Sequence, residues 1–342
     1  MAGLGGKSTP HGPHLGAQVA RTIEERSLLG AGDVVLIACS GGPDSMAMLH
    51  VLSMLARRMR FSVMVASVDH QLRQESGREV LRVAESARDL GVPFFPLKVQ
   101  MTKGASVQAE ARRLRYAALL ELGRQQQATR VAVGHTRDDQ AETVLERVMR
   151  GAGIEGLGGI APARSDGVVR PLIDVSRSQV LAYLKRFDIG FIDDPSNREQ
   201  RFKRTRIRER ILPLLAAEDP SIFAHLSQLA DDARAVVAGL RRDADILLEH
   251  CHIEARLLDA DRMMQASESV RRMALRMWIE EVTCVRPNRA QLLAAERTAG
   301  GTGEVWLKHG WSLRKVGSVL KAVSSVEPNR HGSRAREQEP FH

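Results

Sequence analysis

Six consecutive residues, Ser40-Gly41-Gly42-Pro43-Asp44-Ser45, set two hydroxyls, a carboxylate and two glycines directly after the apolar run Val34-Val-Leu-Ile-Ala-Cys39. An apolar helical pattern resumes within two residues, so the stretch predicts strand, tight loop and helix N-terminus. Such a corner aims unpaired backbone N–H groups and the positive end of a helix dipole at one point, which suits an anion. Gly41 and Gly42 let the backbone approach closely, and Ser40 and Ser45 add hydroxyl donors. The chemistry favoured is the holding of a nucleotide phosphate. This is not a Walker A loop, because no lysine follows the glycines. Gly6-Lys7-Ser8 imitates only that motif's ending, with Met1 where the first glycine belongs and no strand before it.

A second cluster, Gly134-His135-Thr-Arg-Asp138-Asp139-Gln-Ala-Glu142-Thr143, again follows a short apolar run, Arg130-Val-Ala-Val133. Asp139 to Glu142 has the spacing of a capping box and can simply start a helix. Beside a phosphate loop, however, carboxylates at a second strand end are what a magnesium–nucleotide site requires, since Mg²⁺ takes one or two carboxylates plus phosphate oxygens. Asp44 and Asp139 are the candidate metal ligands. Between the clusters, Glu110-Ala-Arg112-Arg113-Leu-Arg115-Tyr116 places Arg112 and Arg115 on one helix face. They are either surface charge or cations that stabilise a leaving pyrophosphate. Phe61 to Asp69 reads as a buried strand, so Asp69, His70 and Arg73 fall at a strand end, where parallel sheets bind ligands.

Positioning these groups takes alternating strands and helices: strands near 34–39, 61–69, 94–99 and 130–133, with helices after each. The pattern predicts an α/β fold, a doubly wound parallel sheet, followed by a smaller, mainly helical domain with a short β tail. The expected domains are a disordered leader over 1–14, a catalytic domain over 15–212, a helical domain with a β-hairpin over 213–326 and a disordered tail over 327–342. Residues 213–297 read as helical throughout, and Gly151 to Ile160 reads as a flexible loop. Lys and Arg total 50 against 41 Asp and Glu, a formal charge of +9 that suits a polyanionic partner. From Arg198 to Arg210, seven of thirteen residues are basic, either a solvated helix face or a phosphate-backbone clamp. The three cysteines are far apart and form no zinc or cluster pair, which fits a reducing cytoplasm. No apolar run is long enough to span a bilayer.

Taken in order, Ser40–Ser45, Val68-Asp-His-Gln-Leu-Arg-Gln-Glu-Ser76, Glu110–Tyr116, Gly134–Thr143, Arg150-Gly-Ala-Gly-Ile-Glu-Gly-Leu-Gly-Gly-Ile160 and Asp193-Asp-Pro-Ser-Asn197 resemble the bacterial tRNA(Ile)-lysidine synthetases, a branch of the N-type ATP pyrophosphatases. The resemblance covers roughly residues 30–215 and is loose beyond. It implies ATP and Mg²⁺ as cofactors. The implied reaction joins free lysine to carbon 2 of the wobble cytidine of CAU-anticodon tRNA(Ile), through an adenylated intermediate. By motif it implies Ser40, Gly41, Gly42, Pro43, Asp44, Ser45, Gly134 and His135 for ATP, with Asp44, Arg115 and Asp139 catalytic. Glu142 would take the lysine ammonium, and Arg150, Arg201, Arg204, Arg206 and Arg208 would meet tRNA. A homodimer is compatible with the chain. Rival readings are a tRNA thiolase on the same loop, a small-molecule adenylating synthetase, and a non-catalytic tRNA-binding module.

Overall fold

The structure is a computed structural model and describes residues 14–69, 76–99, 107–192, 203–301 and 303–325. The expected leader apart from His14, the tail at 327–342, His70, Arg73, the 193–197 motif and Arg201 lie outside the described residues.

The chain divides into two compact units, Met1–Arg234 and Ala235–His342. The first is built on five parallel strands: β1 (Val34–Ala38), β2 (Ser62–Asp69), β3 (Phe94–Lys98), β4 (Arg130–Val133) and β5 (Val168–Val169). Their order across the sheet is β3-β2-β1-β4-β5. Val35, Leu36 and Ile37 are all fully buried, as a central parallel strand covered on both faces requires. One face packs Val35 and Ile37 against α1 (Leu15–Glu25), α2 (Pro43–Met59), α3 (Ser76–Asp89) and α7 (Arg177–Arg186), through Ile23, Leu49, Leu52, Val83 and Leu184. The other packs Leu36, Ala66 and Val131 against Leu119 and Leu122 of α4 (Val107–Gln125). The order reverses between β1 and β4, and the crevice at the C-terminal ends of those strands is where such sheets bind ligands.

After β4 come α5 (Arg137–Met149) and α6 (Ile154–Leu157); beyond β5 and α7 come α8 (Lys203–Arg206), a π-helical turn at Ile207–Ile211, α9 (Leu212–Glu218) and α10 (Ile222–Cys251). Leu212, Leu226 and Ala230 close a small core with Ala141, Val144 and Ile207. That packing carries the first unit past the 212–213 boundary expected from sequence.

The stretch expected to be a flexible loop, 151–160, is held instead. Arg147 donates to the carbonyls of Gly156 (2.6 Å) and Gly159 (2.9 Å), Gln140 exchanges bonds with the Ile160 backbone, and Arg234 donates to Gly158 and Ile160. Inward-turned carbonyls on guanidiniums make a rigid turn out of a glycine-rich sequence.

In the second unit, α11 (Ala260–Gln265), α12 (Glu268–Thr283) and α13 (Arg289–Gly300) enclose Trp278, Ile279 and Leu292 with a five-stranded sheet. Its strands β6 (His252–Glu254), β7 (Leu257–Asp259), β8 (Glu304–Trp306), β9 (Trp311–Val316) and β10 (Val319–Ser324) run in the order β6-β7-β10-β9-β8, with antiparallel pairing. The expected tail hairpin is part of this sheet. The helix expected throughout 213–297 is interrupted by β6 and β7, strands of three residues that are too short to show a period of two. Among the described residues no helix is long and apolar enough to cross a membrane.

Candidate active site

The β1–α2 corner has the geometry its residues predict. Gly41 takes φ +80°, a conformation that favours glycine, and Gly42 caps α2 with Pro43 at the first turn. No side chain caps that helix, so its first N–H groups are left for a ligand. The Ser45 hydroxyl works inside the corner: it accepts from the Ser40 N–H (3.1 Å) and donates to the Gly42 carbonyl (2.9 Å). Ser45 therefore ties the loop shut, while Ser40 lies at its rim. The Cys39 thiol packs on Ser45 and Met46 behind the loop, and burial pushes its pKa up.

Across the crevice, β4 runs into Gly134, and a Cβ there would sit 3.3 Å from both the carbonyl carbon of Asp44 and the amide nitrogen of Ser45. The two corners touch through that missing side chain. Gly134→Ala is expected to force them apart at a cost of about 1–2 kcal/mol and to weaken nucleotide binding. A thermal melt and an ATP titration check it, and wild-type values in both would refute the close-approach role. Thr136 caps α5 in a reciprocal capping box with Asp139. The box expected from sequence, Asp139 to Glu142, is thus displaced by one turn: Asp139 is its second member and Glu142 lies inside α5.

The two corners face a cavity of about 550 Å³, lined by Ser40, Asp44, Arg115, Tyr116, Gly134, His135, Asp139, Arg177, Arg204 and Arg208 among others. That volume is ordinary for a small-ligand site, about 300–1,000 Å³. Asp44 is pushed up to about 6 by burial first and by the charge of Asp139 second, against the pull of Arg177 and Arg208. Its Oδ1 is buried without a hydrogen-bond partner. Burial also opposes the charge on Asp139, yet Arg204, the Thr136 N–H and Arg208 hold its carboxyl below the usual range. His135 is driven down to about 3, chiefly by burial and then by Arg170, Arg112 and Arg204, against the pull of Asp139. A guanidinium can only donate, so the 3.2 Å contact from Arg170 Nε makes His135 Nδ1 an acceptor and leaves the proton on Nε2. His135 in this state is a neutral donor rather than a base.

Residues 14–215 match the PP-loop domain family. The chain is 35% identical over 320 residues to a tRNA(Ile)-lysidine synthase of Symbiobacterium thermophilum, covering 85% of this chain and 64% of that one. It is 40% identical over 236 residues to a tRNA(Ile)-lysidine synthase of Methylobacterium nodulans, covering 68% of each. The chain belongs to the tRNA(Ile)-lysidine synthase family of PP-loop proteins. It spans about two thirds of the length of these two curated relatives. A solved structure with the same fold is the U34-tRNA thiolase NcsA from Methanococcus maripaludis with its [4Fe-4S] cluster, at TM-score 0.55 and 14% identity, covering 64% of this chain and 77% of that one.

For a PP-loop protein the donor set of this cavity suits Mg²⁺. Among the described residues no group of three or more His, Cys, Asp or Glu gathers as in a metal site made by protein alone. Mg²⁺ bound with a nucleotide needs fewer, and the orphaned Oδ1 of Asp44 beside Asp139 is the kind of oxygen it takes.

Asp44, Asp139, His135, Gly134 and Arg115 are brought together as the motifs suggest. Glu142 is 1% exposed and has both oxygens engaged: Arg204 Nε reaches Oε2 (2.7 Å), and Arg208 reaches Oε1 (2.5 Å) and Oε2 (3.1 Å). Arg204 and Arg208 also reach Asp139, at 2.8 and 3.4 Å. These two members of the basic run thus face carboxylates of the site in this state. Arg150 pairs with Glu146 at the surface, 2.5 Å away, and Arg206 is exposed. Two site residues escaped the sequence reading. Arg177 lies 3.8 Å from Asp44, and its backbone N–H bonds Asp138. Arg170 is 3% exposed within the apolar run Val168-Val-Arg-Pro-Leu, and a charge in such a run was the signal to follow.

Proposed function

We propose that this protein joins free lysine to carbon 2 of the wobble cytidine of CAU-anticodon tRNA(Ile), converting ATP to AMP and pyrophosphate. What carries the reading is one observation: the uncapped β1–α2 corner and the carboxylate-bearing exit of β4 face the same cavity. The names of the relatives support the substrate.

The cytosine C2 carbonyl oxygen attacks the α-phosphorus of ATP, and pyrophosphate leaves with the electrons of the broken P–O bond. The lysine ε-amine, deprotonated, then attacks C2, and the C2–O bond breaks to release AMP. The N–H groups of the α2 corner hold the phosphates. Arg115, whose charge burial disfavours, lines the cavity beside Tyr116 and is ready to meet the leaving anion. His135 presents its Nε2–H as a neutral donor. Asp44 and Asp139 would hold Mg²⁺, which when bound neutralises phosphate charge. Glu142 receives the lysine ammonium where a guanidinium of Arg204 or Arg208 now lies, and the displaced arginines turn to RNA phosphates together with Arg150, Arg201 and Arg206.

The test is labelled lysine, ATP and a CAU-anticodon tRNA transcript. Lysine entering the tRNA with stoichiometric AMP is the expected result, and AMP release without incorporation overturns the reading.

A further inference from the structure

Around the single ring of Tyr116 the fold collects four arginines. The guanidinium carbons of Arg112, Arg115 and Arg164 lie 5.3, 5.8 and 5.3 Å from the ring centroid, within reach of its π face. Arg170, buried at 3% exposure, adds its charge to theirs from β5's end, and its field is felt together with those of Arg164 and Arg112. Among the described residues only Arg164 has a carboxylate partner, Asp166 at 2.5 Å. Like charges so gathered repel one another, and an aromatic ring offsets only part of that cost. Such a gathering of guanidiniums suits an anion.

The proposed reaction has two sources of such an anion, the triphosphate and the RNA backbone. Placement favours the second. Arg115 and Tyr116 line the cavity, whereas Arg112 and Arg164 are exposed and take no part in its lining. The cluster therefore runs from solvent, at Arg112 and Arg164, to the cavity wall, at Arg115 and Tyr116. A nucleotide modified within a chain must enter the pocket while the phosphodiesters on either side of it stay at the rim. We propose that Arg112 and Arg164, backed by Arg170 and the Tyr116 ring, form a second phosphate site, which grips an RNA phosphodiester flanking the nucleotide under modification. This inference rests on the function proposed above and adds to it a binding site distinct from the phosphate loop.

The probes are a CAU-anticodon tRNA transcript and, separately, ATP. Arg112→Gln, Arg164→Gln and the double variant are titrated with each across a range of salt. RNA affinity should fall about tenfold in the double variant near 0.15 M salt, and the slope of log affinity against log salt should shrink by about 0.7 for each guanidinium removed. ATP affinity should stay within about twofold of wild type. Arg112→Lys, which keeps the charge, should restore most of the slope. Both positions are exposed, so circular dichroism should be unchanged. If ATP affinity falls while the RNA slope holds, the arginines serve the triphosphate; if neither changes, they serve only the packing around Tyr116. Either result overturns the proposal. Failure of the wild-type protein to incorporate lysine would sink the functional reading instead, and the RNA titration would remain interpretable by itself.

Discussion

Asp44→Asn is expected to abolish AMP formation and, in the same protein, to raise the melting temperature at neutral pH. The first effect follows from chemistry. The side chain sits at the head of α2 with an orphaned oxygen facing the cavity, and removing its charge takes away several kcal/mol of stabilisation of the phosphates and their metal, about a 10³-fold loss of rate or more. The second follows from linkage. The folded-state pKa of Asp44 is raised to about 6 from 3.8, so its contribution to stability is fully present below about pH 4 and is lost as the pH rises through about 6. Two pH units correspond to about 3 kcal/mol, discounted to about 2 because the side chain is 19% exposed. Asparagine resembles the neutral acid at every pH. The variant's advantage should be absent near pH 4, complete above pH 6, and about 5 °C in melting temperature, measured with chelator present. Near-normal AMP formation, or a variant that melts lower than wild type at pH 8, would contradict the placement of Asp44.

Much of this site was legible because it rests on local grammar. A strand that ends in Ser-Gly-Gly-Pro-Asp-Ser must turn at once, since Gly41 alone supplies the left-handed φ and Pro43 starts the helix. The same rule placed the start of α5 near Asp139 but one turn late, because Thr136 is the cap and Asp139 its reciprocal partner. Illegible were the contacts between segments distant in sequence. Nothing near Arg170 announces that its guanidinium meets a histidine 35 residues earlier, and nothing near Arg204 and Arg208 announces two carboxylates more than 60 residues back. The glycine-rich stretch before β5 looked mobile because its anchors, Arg147, Gln140 and Arg234, lie outside it. Composition reports how free a backbone is; only the fold reports what has been done with that freedom.

Glu142→Gln is expected to separate the two halves of the reaction. Glu142 is buried, and its carboxylate is the shared acceptor of Arg204 and Arg208. A neutral amide there leaves both guanidiniums short of a counter-charge. Breaking a buried ion pair costs about 3–5 kcal/mol, but the arginines are 41% and 32% exposed, so a loss of about 2 kcal/mol in stability is the expected size. Adenylation needs no lysine, and pyrophosphate release in the variant should fall no more than about tenfold. Capture of lysine draws on the charge itself; loss of a charge-assisted hydrogen bond is worth about 1.5–3 kcal/mol, so incorporation should drop about 10- to 100-fold, chiefly through a higher KM for lysine. Rapid quench with labelled ATP and labelled lysine reads the two steps apart. Glu142→Asp, which keeps the charge on a shorter stem, should recover part of the lysine step and separates loss of charge from loss of fold. Equal loss of both steps in Glu142→Gln would show that Glu142 serves Asp139 and its arginines alone, and that the amine is received elsewhere in the cavity.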